Sequence, residues 1–158
     1  MRKKFIIWLF EHSQRIYITF KKKKPWRIKE SELYELDSDS FGYHLGLFLK
    51  KNSFHLIPKV ERHDAYHVMT NYGTEVQDEI ALQYLCFGNG KRSPYLFGVI
   101  ILGTLILPDY LNYYIDPYKT GKDSHPFHNL NYENLLERPL HQLRSVIFNH
   151  QQLSKILS

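Results

Sequence analysis

Cysteine is nearly absent: Cys86 stands alone in 158 residues. One thiol excludes an internal disulfide framework and suits a reducing compartment. Long apolar runs are missing too. Tyr95–Leu107 falls short of the ~20 residues that a bilayer span needs, and it closes at Pro108-Asp109. It reads as a buried core helix or the wall of an apolar pocket. Phe5–Phe10 is followed at once by Glu11 and His12, which is too short for a signal peptide and offers no small-residue cleavage site. Stretches that alternate apolar and polar residues are scarce, there is no internal repeat, and the only low-complexity tract is a lysine run. The fold class expected is therefore all-α, a multi-helix domain.

Hydrophobic residues make up 43% and charged residues 23%, the balance of a globular protein rather than a disordered one. We expect one domain over residues 1–158, with a basic amphipathic arm at 1–30 and a helical body at 31–158. The arm holds ten Lys/Arg against Glu11 and Glu30, a net of +8, whereas the body holds eleven against fourteen acids, a net of −3. The pI of about 9.2 thus belongs to the arm. No basic stripe interleaved with stacking aromatics crosses the body, so no nucleic-acid partner is expected. Arg2-Lys3-Lys4 and Lys21–Lys24 flank a helix bearing Trp, Phe and Ile. Such a helix suits a membrane interface, and equally suits packing on the body with a solvated lysine tail.

Punctuation along the chain places the helices. Phe41–Lys51 and Val60–Thr70 read as helical, and Asn71-Tyr72-Gly73 as a turn. Thr74 and Gln77 have the spacing of a capping box opening a helix to about Phe87. Ser93-Pro94 opens the next one. Asp116-Pro117 and Thr120–Pro126 read as loop. Tyr132–Glu137 is expected to be helical, and Leu140–Leu157 to form one last amphipathic helix.

His63, Asp64 and His67 lie at i, i+1 and i+4, which puts the two imidazoles on one helix face with Cβ atoms ~5–6 Å apart. Glu79, on the following helix, neighbours Val76, Ile80 and Gln83. An ionised carboxylate on such a face is costly unless paired or metal-bound. A turn at Asn71–Gly73 would pack the two helices antiparallel and return Glu79 towards His67. The expected site is therefore a divalent metal held by His63, Asp64, His67 and Glu79. Nitrogen with carboxylate suits Zn²⁺ first, then Mn²⁺ or Fe²⁺, above Mg²⁺ or Ca²⁺. A lower-ranked alternative pairs His63-Asp64 with His44 or His55 and with Asp109 or Asp116, as in an HD-type metallophosphohydrolase.

The stretch from His63-Asp64 through His67 to Tyr72-Gly73-Thr74, with eleven residues between His67 and Glu79, resembles the HDxxH-and-Glu signature of the fourth coenzyme Q (ubiquinone) biosynthesis protein family. The likeness runs from about Phe41 to Arg144. Asn71 stands where that family usually has glycine, a replacement that needs a left-handed backbone there. The resemblance implies an all-helical, often dimeric protein that associates peripherally with membranes, on the cytoplasmic side in this reading, and binds an isoprenoid lipid. It implies other quinone-biosynthesis enzymes as partners, and a polyprenyl quinone precursor as ligand. It also implies either oxidative decarboxylation of that precursor's ring or a scaffold and carrier role.

Lys91 and Arg92 precede a helix start, where free N–H groups favour anions. Together with Gly98 and Gly103 on the apolar helix they are the expected lipid-binding residues: a phosphate head at the cations, with the chain along Tyr95–Leu107. The alternative for the pair is a solvated basic turn. Tyr110, Tyr113, Tyr114 and Tyr118 read as packing residues. Cys86 reads as a small core residue.

Overall fold

The structure, a computed structural model, describes residues 1–157, the side chains at 11, 13–15 and 17 apart. Nine α-helices are described: α1 Arg2–Phe20, α2 Glu30–Leu33, α3 Phe41–Asn52, α4 Glu61–Thr70, α5 Val76–Gly88, α6 Pro94–Ile106, α7 Leu111–Asp123, α8 Leu140–Ile147 and α9 His150–Leu157. Short 3-10 turns occupy Pro108–Tyr110 and Tyr132–Leu135. Among the described residues there is no β-strand, only an isolated bridge between Ser40 and Pro139. The all-α expectation holds. The helices form two compact units, Met1–Lys21 with Tyr72–Asn129, and Lys22–Asn71 with Leu130–Ser158.

The first unit contains α1, α5, α6 and α7. Its core gathers Ile6, Val76, Ile80, Ala81, Val99, Leu107 and Tyr114. Ser93 caps α6 as the sequence predicts, accepting from the Leu96 amide at 3.2 Å, with Pro94 in the first turn. The expected box at Thr74 is displaced: Glu75 is the N-cap of α5, and the Gln77 side chain instead accepts from Lys3 Nζ at 3.0 Å. A larger correction concerns α7, which runs straight through Pro117 and on to Asp123 where loop was expected. Tertiary packing overrides the proline. Gly88 and Gly121 let α5 and α7 meet backbone to backbone; a Cβ at Gly88 would collide with the Tyr118 carbonyl, and one at Gly121 with the Leu85 carbonyl. Burial of Tyr114, Pro117 and Gly121 along that seam offsets the hydrogen bond that proline removes. Beyond α7, the Asn89 carboxamide donates to the carbonyls of Gly121 and His125 and accepts from the Phe127 and His128 amides.

α1 is a packed element of this unit. Ile6 is fully buried, Arg2 pairs with Asp109 at 2.6 Å, and Lys3 lies over the Tyr110 ring. Its other face exposes Phe5, Ile7, Trp8, Ile16 and Phe20, and α6 exposes Phe97, Ile101, Leu102 and Leu105. No single described helix is long and apolar enough to cross a membrane; α6 and the segment after it are bent by 104°.

The second unit packs α2, α3, α4, α8 and α9 around Leu33, Phe41, Leu45, Leu49, Tyr66, Met69 and Tyr132. Ser40 caps α3 by accepting from the Tyr43 amide. The C-terminal segment is tied to α3 by backbone bonds, Phe41 N–H to Arg138 and Gly42 N–H to Leu136, each 2.8 Å. The single helix expected over Leu140–Leu157 is broken at Phe148-Asn149. There Asn149 Oδ1 accepts from the Gln152 amide while Gln152 Oε1 accepts from the Asn149 amide, each at 2.9 Å. This reciprocal cap satisfies two donors that continuing the helix would have used otherwise.

Candidate metal centre

The two histidines occupy one face of α4, in the second unit. His67 is buried and His63 half-buried, and their Nε2 atoms stand 3.2 Å apart. The rings meet edge to face, with centroids 4.8 Å apart. Two nitrogens bound at ~2.0–2.1 Å to one tetrahedral ion are separated by roughly 3.3 Å. The imidazole pair thus already has the bite that such an ion needs.

Several contacts fix α4 around that pair. Phe48 of α3 stacks on the His67 ring, with centroids 5.2 Å apart and planes 15° from parallel. Asn71 ends the helix in the left-handed region at φ 56°, its amide donating to the His67 carbonyl at 2.7 Å. The backbone that its replacement of glycine requires is therefore present. Arg144 of α8 donates from Nη2 to the Val68 carbonyl at 2.7 Å and from Nε to that of Met69 at 3.2 Å. A cation at a helix C-terminus both satisfies orphan carbonyls and meets the negative dipole end. Burial lowers the Arg144 pKa, but a guanidinium stays charged.

Glu79 sits half-buried in the first turn of α5, in the first unit, with its amide donating to the Glu75 carbonyl at 2.9 Å. A carboxylate is favoured at that helix end. One turn on, Gln83 is buried, and among the described residues its Oε1 has no hydrogen-bond partner. His63 and His67 are two donors that one metal ion could share, and Glu79 is the carboxylate expected from the sequence to join them. Asp64, half-buried beside His63, does not belong to the pair. Two residues of the alternative set are engaged elsewhere: His55 pairs with Glu30 at 3.3 Å, and Asp109 with Arg2. Phe48 and Arg144 went unnoticed in the sequence, because nothing in local spacing links α3 or α8 to the histidine face.

The expected lipid residues lie in the first unit. Gly98 lines a groove of about 760 Å³ between α1 and α6, walled by Trp8, Phe10, Ile16, Tyr95 and Leu102. A Cβ at Gly98 would meet nothing within 4 Å, whereas one at Gly103 would press on the Ile80 side chain at 2.7 Å. Arg92 stacks over Phe87 and donates to the carbonyls of Phe87 and Lys91 at 2.7 and 2.8 Å.

The fold is that of an all-helical protein that carries a close histidine pair on one helix face. The sequence profile of the coenzyme Q (ubiquinone) biosynthesis protein Coq4 family matches residues 56–150. The chain belongs to that family. It is also similar to the crystal structure of a candidate ubiquinone biosynthesis protein from Nostoc punctiforme, with 17% identity, a TM-score of 0.64, and 78% of this chain and 69% of that chain covered. At that identity the likeness speaks for the fold. No curated protein matches the sequence.

Proposed function

We propose that this protein serves ubiquinone biosynthesis as a metal-dependent enzyme acting on a polyprenyl-hydroxybenzoate precursor, with His63, His67 and Glu79 as ligands and Asp64 orienting His63 from the outer shell. The observation that carries the reading is the 3.2 Å separation of the His63 and His67 nitrogens. Two imidazoles and one carboxylate leave a tetrahedral ion an open position, the arrangement of catalytic rather than purely structural sites. Zn²⁺ suits the donors best, with Mn²⁺ or Fe²⁺ next. A bound ion would polarise the precursor's carboxylate or phenolate, and a redox-active one would supply the oxygen chemistry of oxidative decarboxylation at the first ring carbon. The chain's own part is orientation: Phe48 holds the His67 ring, and Arg144 pins the last turn of α4.

The α1–α6 groove supports a second element, that the polyprenyl tail lies beside Gly98. The apolar faces of α1 and α6, with Lys21–Lys24 next in the chain, favour peripheral docking on an anionic membrane. Lys91 and Arg92 are the residues proposed for a lipid phosphate. Should the ion prove to be a helix staple, the same groove would make the protein a carrier that presents its lipid to other quinone-biosynthesis enzymes. A homodimer belongs to either reading. The test is turnover of a prenylated hydroxybenzoate by protein loaded in turn with Zn²⁺, Mn²⁺ and Fe²⁺. Release of carbon dioxide by wild type and not by His63→Ala supports the enzyme. Metal and lipid bound at full occupancy without turnover supports the carrier.

A further inference from the structure

A second concavity lies wholly within the other unit. It has a volume of about 290 Å³, and Asp39, His44, His141 and Arg144 line it together with Leu140, Leu153 and Leu157. That volume is at the small end for an organic ligand. The polar groups in it are not used up by the fold. Arg144 spends Nε and Nη2 on the α4 carbonyls, which leaves Nη1 without a partner among the described residues. The Asp39 backbone is engaged, its amide with the Asp37 carboxylate and its carbonyl with the Leu140 amide, but its own carboxylate accepts nothing among the described residues. The ring nitrogens of His44 are likewise unpaired among them; burial and the Arg144 charge lower its pKa, so the imidazole is neutral near pH 7.

The pocket therefore offers one permanent cation, one anion, the neutral imidazole of His44, a second imidazole from His141 and a wall of three leucines. An inorganic anion would satisfy Arg144 but meet Asp39 unfavourably, and it would leave the leucines uncovered. A purely apolar ligand would strand both charges. The complement has three parts: a carboxylate for the guanidinium, a small apolar body for the leucines, and a hydrogen-bond donor for Asp39 or His44. We propose that this pocket binds a small monocarboxylic acid that also carries a hydroxyl or amino donor, at a site that shares no donor with the metal centre and touches it only through Arg144, whose Nε and Nη2 hold the end of the histidine helix. No ligand of the metal donor group lines it.

The experiment is calorimetric titration of the whole protein with 4-hydroxybenzoate, benzoate and inorganic phosphate, repeated in His63→Ala to remove the metal centre as an alternative seat. Saturable 4-hydroxybenzoate binding is expected in both proteins. Benzoate should bind about tenfold more weakly, since it leaves the pocket's acceptors unmet. Asp39→Asn should narrow that gap by improving benzoate. Leu153→Trp, which fills the pocket from α9, should abolish binding of both acids at an unchanged melting temperature. If that variant melts early, Leu157→Trp, at a position 59% exposed, closes the same wall. No saturable binding, binding lost with His63, binding indifferent to both tryptophans, or phosphate binding as tightly as 4-hydroxybenzoate would each overturn the proposal.

Discussion

Phe48 lies flat against His67, 5.2 Å from ring centre to ring centre, so a phenyl group from one helix sets the plane of an imidazole on the next. Hydrogen-bonded outer-shell partners of metal ligands matter at roughly 10–100-fold in affinity, and a stacked ring that orients a ligand is expected at the low end of that range. Phe48→Leu keeps most of the volume and loses the stacked plane. We expect metal affinity about tenfold below wild type, read by competition with a chromophoric chelator, with helicity unchanged. Unaltered affinity would mean that α4 alone orients the ring.

Removal of a ligand should cost far more. His63→Ala and Glu79→Ala are each expected to lose bound metal while keeping their helical circular dichroism. Elemental analysis showing full occupancy in both variants would dismiss the donor group.

The two glycines of α6 should behave oppositely. Gly98 faces open space and Gly103 is pressed by Ile80. Gly103→Leu overpacks the core and should cost ~1–3 kcal/mol, seen as a lower melting temperature. Gly98→Leu should melt like wild type but co-purify with less isoprenoid lipid by extraction and mass spectrometry. Equal lipid in Gly98→Leu and wild type would remove that groove as the seat of the chain.

Lysines beside an anionic membrane contribute ~1 kcal/mol each. The double variant Lys22→Ser, Lys24→Ser should thus bind phosphatidylserine vesicles roughly 30-fold more weakly at low salt, and the difference should shrink as salt rises. Equal binding at both ionic strengths would separate the lysines from any membrane role.

Burial raises the Cys86 thiol from 9.0 to about 11, only partly opposed by Lys91. Between those values the unfolded chain gives up this proton and the folded chain keeps it, so stability should fall as pH rises from about 9 to about 11. Tyr72, Tyr113 and Tyr114 are also shifted upward by burial and add to the fall at the alkaline end. Comparison with Cys86→Ala isolates the thiol: its urea midpoint should decline less steeply over that window. Native Cys86 should also resist thiol reagents that label it once the chain is unfolded.

Much of the donor set was legible before folding. His63 and His67 share a face because a helix repeats that way, and Asn71 could be read as left-handed because only such a backbone permits it in glycine's place. What escaped were relations made by distant segments. Pro117 reads locally as a helix breaker, and only the close backbone approach of α5 and α7 at Gly88 and Gly121 explains why α7 ignores it. The reciprocal Asn149–Gln152 cap hid inside an amphipathic pattern that looked continuous. Phe48 and Arg144 carry no signature at all; each matters through whatever α4 happens to place beside it.

The direct meeting of α5 and α7 also bears on how the helix that carries Glu79 can change over time. Where two helices rest on side chains, their spacing drifts by small steps as leucine gives way to valine or methionine. Here carbonyl oxygens stand where Cβ atoms would go, at Gly88 and again at Gly121, so even alanine is refused at either position. The spacing of this helix pair is a fixed stop rather than a sliding scale. A lineage could not shift α5 against α7 by gradual repacking along this seam. It would have to part Gly88 and Gly121 from the carbonyls they face all at once.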